Sequence, residues 1–149
     1  MKPLLCLNKT LDIDTAINWA RDTHNGVLIT IRKDGRPQSS DIVYAVLDGN
    51  FCISATKKRA KTINLLKDKR SVLHVTSPET WSYVSFDGIS EVTEAAKVPA
   101  DNVCQELAKI FTVIQKKDHP DPNEFNEAMI NDQRLVIRFT PTSAVGQIN

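Results

Sequence analysis

Apolar and polar positions alternate along much of residues 26–94, and short glycine-containing joints interrupt the alternation. The segment GVLITIRKDGRPQSSDIVYAVLDGNFCISAT predicts three strands joined by two tight turns. Asp34-Gly35 and Asp48-Gly49 supply the positive φ angles that such hairpins need. SVLHVTS (71–77) and WSYVSFDGISEVTE (81–94) predict further strands, with Asp87-Gly88 as another turn or bulge. LVIRFTP (135–141) is the last predicted strand and ends at Pro141.

Elsewhere the apolar spacing lengthens to that of a helix. Asp14 is placed to cap a first helix running to about His24, with Ile13, Ile17 and Ala20 on one face and Gly26 as a stop. KRAKTINLLKD puts Ala60, Ile63 and Leu66 on one face. ADNVCQELAKIFTVIQKK carries Val103, Leu107, Ile110 and Ile114 at helical spacing, and NEFNEAMIND follows the breaker HPDPN. No internal repeat or linker interrupts the chain. Hairpins with interposed helices predict an α+β fold, a closed or half-open β-barrel of mostly antiparallel strands with peripheral helices. A doubly wound dinucleotide fold is not predicted, because GxGxxG is missing and strands do not alternate one-for-one with helices.

Composition narrows the function. At 149 residues and 16.7 kDa the chain is expected to form one domain, 1–149. A formal charge of +1 and a pI near 7.7 give no global field to attract nucleic acid or an anionic membrane. No run approaches the ~20 apolar residues of a membrane span, and MKPLLCLNKTLDID lacks the apolar core of a secretory signal. Cys6, Cys52 and Cys104 are odd in number and widely spaced, which fits reduced thiols in the cytoplasm. His24, His74 and His119 do not approach one another or the cysteines at ligand spacing, so no metal is expected.

Against that neutral background, Lys57, Lys58, Arg59 and Lys61 arrive almost together after the strand-like FCISAT. One role for the run is a phosphate site. A chain leaving a strand through Ser54, Ala55 and Thr56 exposes N–H groups and hydroxyls, and the following helix adds its partly positive N-terminus. Arg59 can grip phosphate through a planar fork, with Lys61 as a mobile point charge. Their i, i+2 spacing lets them converge only if Arg59 precedes the helix proper. The other role is a solvated helix face, since Lys and Arg are good helix formers that usually face water. Cations at a helix N-terminus oppose the dipole by ~0.3–1 kcal/mol each, which favours an anion there. No aromatic residue is interleaved with the cations, as a nucleic-acid module would need.

The ordered pieces DGRPQ-S, RAKT-NL--D-R, WSY and EFNEAMINDQRLVIRFTP carry a resemblance. The chain is similar, over roughly residues 26–146, to the flavin/deazaflavin oxidoreductases of the pyridoxamine 5′-phosphate oxidase-like split β-barrel superfamily. Within it the likeness is to the B group, which binds the deazaflavin F-420. The resemblance implies an FMN-binding split-barrel fold and a homodimer with two cofactor sites at the interface. Arg59 and Lys61 match the pair that grips the cofactor phosphate. Ser54, Ala55 and Thr56 match the strand end along the ribityl chain and ring, through backbone contacts. Gln38, Ser39 and Ser40 match the neighbouring strand facing the ring. Trp81, Ser82 and Tyr83 match a segment that reaches the cofactor across the subunit boundary, although Trp81 and Tyr83 also suit a core or dimer seam.

The implied activity is that of a flavoprotein oxidoreductase, passing a hydride from reduced F-420 or FMN to a conjugated organic acceptor. A non-catalytic cofactor-binding or storage protein of the same fold is the alternative. Lys57, Lys58, Lys67, Lys69 and Arg70 offer charge for the acidic oligoglutamate tail of F-420, which favours F-420 over FMN. No nucleophile–base pair or paired carboxylates stand out, so no catalytic residue is assigned; Tyr44, Tyr83 or solvent are the candidates if a proton must be supplied. Relatives often end in an aromatic-Gly-Pro stretch where this chain has PTSAVGQIN, with Ala144 and Gln147 in place of bulkier groups. The C-terminal extension by which pyridoxamine phosphate oxidases hold their substrate is missing, so the vitamin B6 reaction is not expected.

Overall fold

The computed structural model describes residues 9–149; Cys6 lies outside the described residues. In chain order the elements are β1 (Lys9–Leu11), α1 (Ile13–Ala20), β2 (Asn25–Ile31), β3 (Pro37–Leu47), β4 (Asn50–Thr56), α2 (Ala60–Lys67), β5 (Arg70–Ser77), β6 (Ser82–Val92), α3 (Asn102–Gln115), α4 (Pro122–Asn131) and β7 (Arg134–Gln147).

All pairings are antiparallel, in the order β1-β7-β4-β3-β2-β5-β6, and β6 returns to pair with β7. That last pairing closes six strands into a barrel and leaves it open only where β3 and β4 part. Inward residues of alternate parity fill it: Tyr44, Phe51, Phe86 and Phe139 are fully buried, and Phe51 touches the rings of the other three. α3 and α4 cover the outside of β3, β4 and β7, where Leu107, Ile110 and Phe125 pack on Ala45, Cys52 and Val136.

The second hairpin follows its sequence signature, with positive φ at both Asp48 (51°) and Gly49 (77°). At the first, only Gly35 (φ 85°) is left-handed, and Asp34 instead accepts from the Arg36 N–H. α1 is capped two positions earlier than expected: Asp12, not Asp14, accepts the Thr15 N–H, at 3.0 Å. It also ends at Ala20, and Gly26 lies inside β2, where a Cβ would stand 3.1 Å from both the Leu73 side chain and the His74 carbonyl.

β7 does not stop at Pro141 but continues to Gln147. Pro141 lies opposite Gly88 at the register shift between Asp87 and Gly88, a place where a strand tolerates a residue without an N–H. α2 also turns the face opposite to that expected. Thr62, Asn64 and Leu65 are buried, whereas Ile63 and Leu66 are 45% and 65% exposed. The physical reason is partly polar: the strand ends beneath this helix carry acceptors that Thr62 and Asn64 satisfy, while Leu65 beside them enters the barrel core.

Candidate functional site

The ladder between β3 and β4 runs only from Leu47↔Asn50 to Tyr44↔Ile53. Beyond it β3 stays paired to β2 as far as Pro37, and β4 stays paired to β7 as far as Thr56. The two strands therefore part like the arms of a fork. Along the inner edge of each arm, main-chain donors and acceptors released from the ladder need other partners.

α2 bridges the fork. Thr62 donates its hydroxyl to the Thr56 carbonyl at 2.9 Å, holding the β4 arm. The Asn64 amide donates to Gln38 Oε1 at 2.9 Å and to Thr30 Oγ1 at 3.1 Å, holding β3 and β2. Arg59 is the N-cap of α2, in extended conformation (φ −70°, ψ 145°), and so precedes the helix as convergence with Lys61 requires. The other helices are capped by the side chains of Asp12, Asp101 and Asp121; α2 has no side-chain cap, and its first turn holds no acidic residue.

A groove of about 390 Å³ opens beside this point, lined by Asp41, Val43, Ser54, Lys61, Arg134 and the Ile110–Ile114 edge of α3 among others. Burial, then the charges of Arg59 and Arg134, holds the Lys61 ammonium below the usual lysine range. Three cations thus share one neighbourhood, and among the described residues no carboxylate lies within ion-pair distance of them. Arg134 Nε is buried with no hydrogen-bond partner. An anionic group such as phosphate fits this cradle, because it supplies an acceptor for the uncapped start of α2 and a counter-charge for three cations that no described carboxylate pairs.

Arg134 was not legible in the sequence as a site residue. It stands 75 positions after Arg59 and reaches the cradle only because β7 pairs Arg134 with Thr56.

The predicted site residues divide. Ser54 and Lys61 line the groove together. Thr56 ends β4 next to it, while the Ala55 side chain is buried in the barrel core and offers a ligand only its main chain. On the other arm Ser39 is exposed, whereas Gln38 and Ser40 are partly buried. Gln38 is tied to Asn64 in a separate cleft with Arg32, Lys33 and Asp34. Trp81, Ser82 and Tyr83 do not join the groove within one chain. Tyr83 pairs with Gln147, at the end of β7 remote from Arg134. Trp81 is left-handed (φ 55°) and 84% exposed. Ser82 is buried, accepting from the Asn149 N–H and Thr80 hydroxyl at 2.9 Å each, and the Tyr83 ring lies 5.7 Å from that of His74.

Two further expectations change. Tyr44 cannot serve a substrate as proton donor: it is fully buried, its hydroxyl donates to the Ala20 carbonyl at 2.6 Å, and burial pushes its pKa up. Of the five cations expected for an acidic tail, Lys69 is paired with Glu91 at 3.0 Å and Arg70 with Asp68 at 2.7 Å, leaving Lys57, Lys58 and Lys67.

A wider cleft of about 580 Å³ lies between the β3–β4 hairpin and α3. Arg138 and Glu106 there satisfy each other through two hydrogen bonds of 2.7 and 2.6 Å, and the other two charged residues of its lining, Asp48 and Lys109, are opposite in sign, so the cleft has no excess of positive charge. Among the described residues no group of three His, Cys, Asp or Glu is placed to hold a metal ion, and no helix is long and apolar enough to cross a membrane. Cys52 and Cys104 are buried and unpaired.

No family model matches the chain. Solved structures do match its fold. A conserved hypothetical protein from Mycobacterium tuberculosis superposes with a TM-score of 0.73 at 19% identity, covering 99% of this chain and 90% of that one. An F-420 reductase gives 0.63 at 22%, covering 86% and 94%. A putative pyridoxamine 5′-phosphate oxidase from Listeria innocua gives 0.61 at 15%, covering 89% and 94%. A heme storage protein from Vibrio cholerae and a heme binding protein from Mycobacterium smegmatis share the fold as well. By its strand order, its barrel closure and these neighbours, the chain has the α+β split-barrel fold of the pyridoxamine 5′-phosphate oxidase-like proteins.

Proposed function

We propose that the protein is an oxidoreductase of the flavin/deazaflavin type, binding F-420 or FMN along the β3–β4 fork and passing a hydride to a conjugated organic acceptor. The observation that carries this is the cradle of Arg59, Lys61 and the uncapped start of α2 at the fork's end, with a buried arginine donor lacking a partner. Once bound, the ring supplies the two-electron chemistry. The chain's own part is to anchor the phosphate through Arg59 and Lys61 and to offer the hydroxyls of Ser54 and Thr56 and the main chain of Ala55 to the ligand. Ser39 and the main chain of Gln38 and Ser40 form the opposite arm. Ile110 and Ile114 exclude water from one wall.

The proposed assembly is a homodimer in the cytoplasm. Outward-facing Ile29, Ile31, Val72 and Ile89 form an apolar patch on β2, β5 and β6, with Tyr83 on the same outer side, which supports pairing with a second copy. Trp81, Ser82 and Tyr83 would then approach the partner's groove. The unpaired buried thiols suit a reducing compartment.

Replacing both anchors tests the binding. Arg59→Ala/Lys61→Ala is expected to weaken FMN and F-420, followed by fluorescence, at least tenfold, about 1.4 kcal/mol. Unchanged affinity places the phosphate elsewhere. A storage role is the second possibility, favoured by the heme-storage neighbour of the same fold and by the burial of Tyr44. Anaerobic absorbance of the reduced cofactor separates the two: oxidation on adding enones or quinones marks an oxidoreductase, and its absence with every acceptor marks a carrier.

A further inference from the structure

We propose that Arg134 is a third phosphate anchor and that it makes the site select a phosphate monoester, the terminal group of FMN, over a diester such as that within F-420. The proposal rests on flavin-type binding at the fork.

Arg134 begins β7 opposite Thr56, and its carbonyl accepts the Ala96 N–H at 2.8 Å, so its main chain is held on both sides. Its side chain lines the groove with Lys61 and Ser54, and its Nε is buried without a partner. A buried donor left unpaired is costly and is normally matched by water or a ligand. Gathering three like charges is costly too, unless a strong anion offsets them.

The chemistry of the anion then matters. Near neutral pH a phosphate monoester carries about −1.5 to −2 charges and three free oxygens. A diester carries one charge and two free oxygens. Three anchors of which two are planar guanidinium forks suit the monoester, one anchor to each oxygen. Of the five cations expected for an acidic tail, Lys69 and Arg70 are already paired with Glu91 and Asp68, which reduces the charge left for such a tail to Lys57, Lys58 and Lys67.

The test titrates FMN, riboflavin and F-420 by fluorescence against wild type, Arg134→Met and Arg134→Lys, and adds melts in inorganic phosphate. Wild type should bind FMN at least about tenfold more tightly than riboflavin, and Arg134→Met should lose about tenfold for FMN with riboflavin unchanged and F-420 weakened at most about threefold. Phosphate should raise the melting temperature of wild type and not of Arg134→Met. Without ligand, Arg134→Met should melt no lower than wild type, since the unmatched donor is gone. If it folds poorly, Arg134→Lys decides, retaining part of the FMN preference.

Equal losses for FMN and F-420, equal losses for FMN and riboflavin, or a phosphate shift that persists in Arg134→Met would overturn the proposal. An FMN loss in Arg59→Ala/Lys61→Ala with none in Arg134→Met overturns it while leaving flavin-type binding intact. If wild type binds no ring compound, flavin-type binding fails, and the phosphate melts alone decide whether Arg134 anchors an anion.

Discussion

The Asn64 side chain donates to Gln38 across 2.9 Å, and the same amide nitrogen reaches Thr30 at 3.1 Å. One residue on α2 therefore holds two adjacent strands, β2 and β3, on the side of the fork where β4 has left them. Thr62, two positions earlier, holds the β4 arm through the Thr56 carbonyl. A helix that packed by an apolar stripe alone would leave those acceptors unmatched.

Asn64→Ala should therefore cost more than the area it removes. Thr30 is fully buried and loses its donor, so the expected loss is about 1–3 kcal/mol in urea denaturation. Because the β3 arm is released as well, FMN affinity should fall in parallel. Asn64→Ala as stable as wild type would show that water replaces the amide.

Anion binding should weaken on the alkaline side earlier than an ordinary lysine allows. Lys61 is depressed from 10.5 by burial and by Arg59 and Arg134, so its proton is held less firmly in the folded protein than in the unfolded chain. The sign is that of a destabilising charge: the penalty to the ligand-free fold is present at low pH and relieved as pH rises through the depressed value. FMN affinity follows the opposite course, full at neutral pH and lost as Lys61 deprotonates. Titration from pH 7 to 10.5 should show the fall, and Lys61→Arg should move it to higher pH. An unshifted fall in Lys61→Arg assigns the titration to another group.

Gly88→Ala should be among the most damaging single-methyl changes. A Cβ there would sit 2.4 Å from the Thr140 carbonyl oxygen and 2.6 Å from the Phe139 ring, at the bulge that lets β6 and β7 close the barrel. The expected cost is about 3 kcal/mol. Gly35→Ala, at φ 85° with open space around it, should cost only about 1 kcal/mol from backbone strain. Comparable thermal shifts for the two variants would show that the bulge yields.

How much of the site was legible follows from how local each signal is. Asp48-Gly49 demands its turn whatever surrounds it, and the strands on either side emerge from alternation over a few residues. α3 likewise shows its buried Leu107 and Ile110 through spacing alone. The cation run was visible, and so was the condition that Arg59 precede the helix, because capping is decided within one turn.

Other features depended on segments far apart in the chain. Pro141 signals a strand end, yet the opposing bulge at Gly88 lets β7 run through it. Ile63 and Leu66 signal a buried stripe, yet the fork's unmatched acceptors draw Thr62 and Asn64 inward instead.

By itself, then, the order of residues determined most of the strands, the Asp48-Gly49 turn, the apolar spacing of α3 and the presence of a charged turn after β4, which are set by sterics and periodicity within a few positions. The tertiary structure alone decided where β3 and β4 part, which face of α2 turns inward, and that Arg134 joins Lys61. Those outcomes depend on strand register and barrel closure, and pairing between distant segments leaves no mark within either of them.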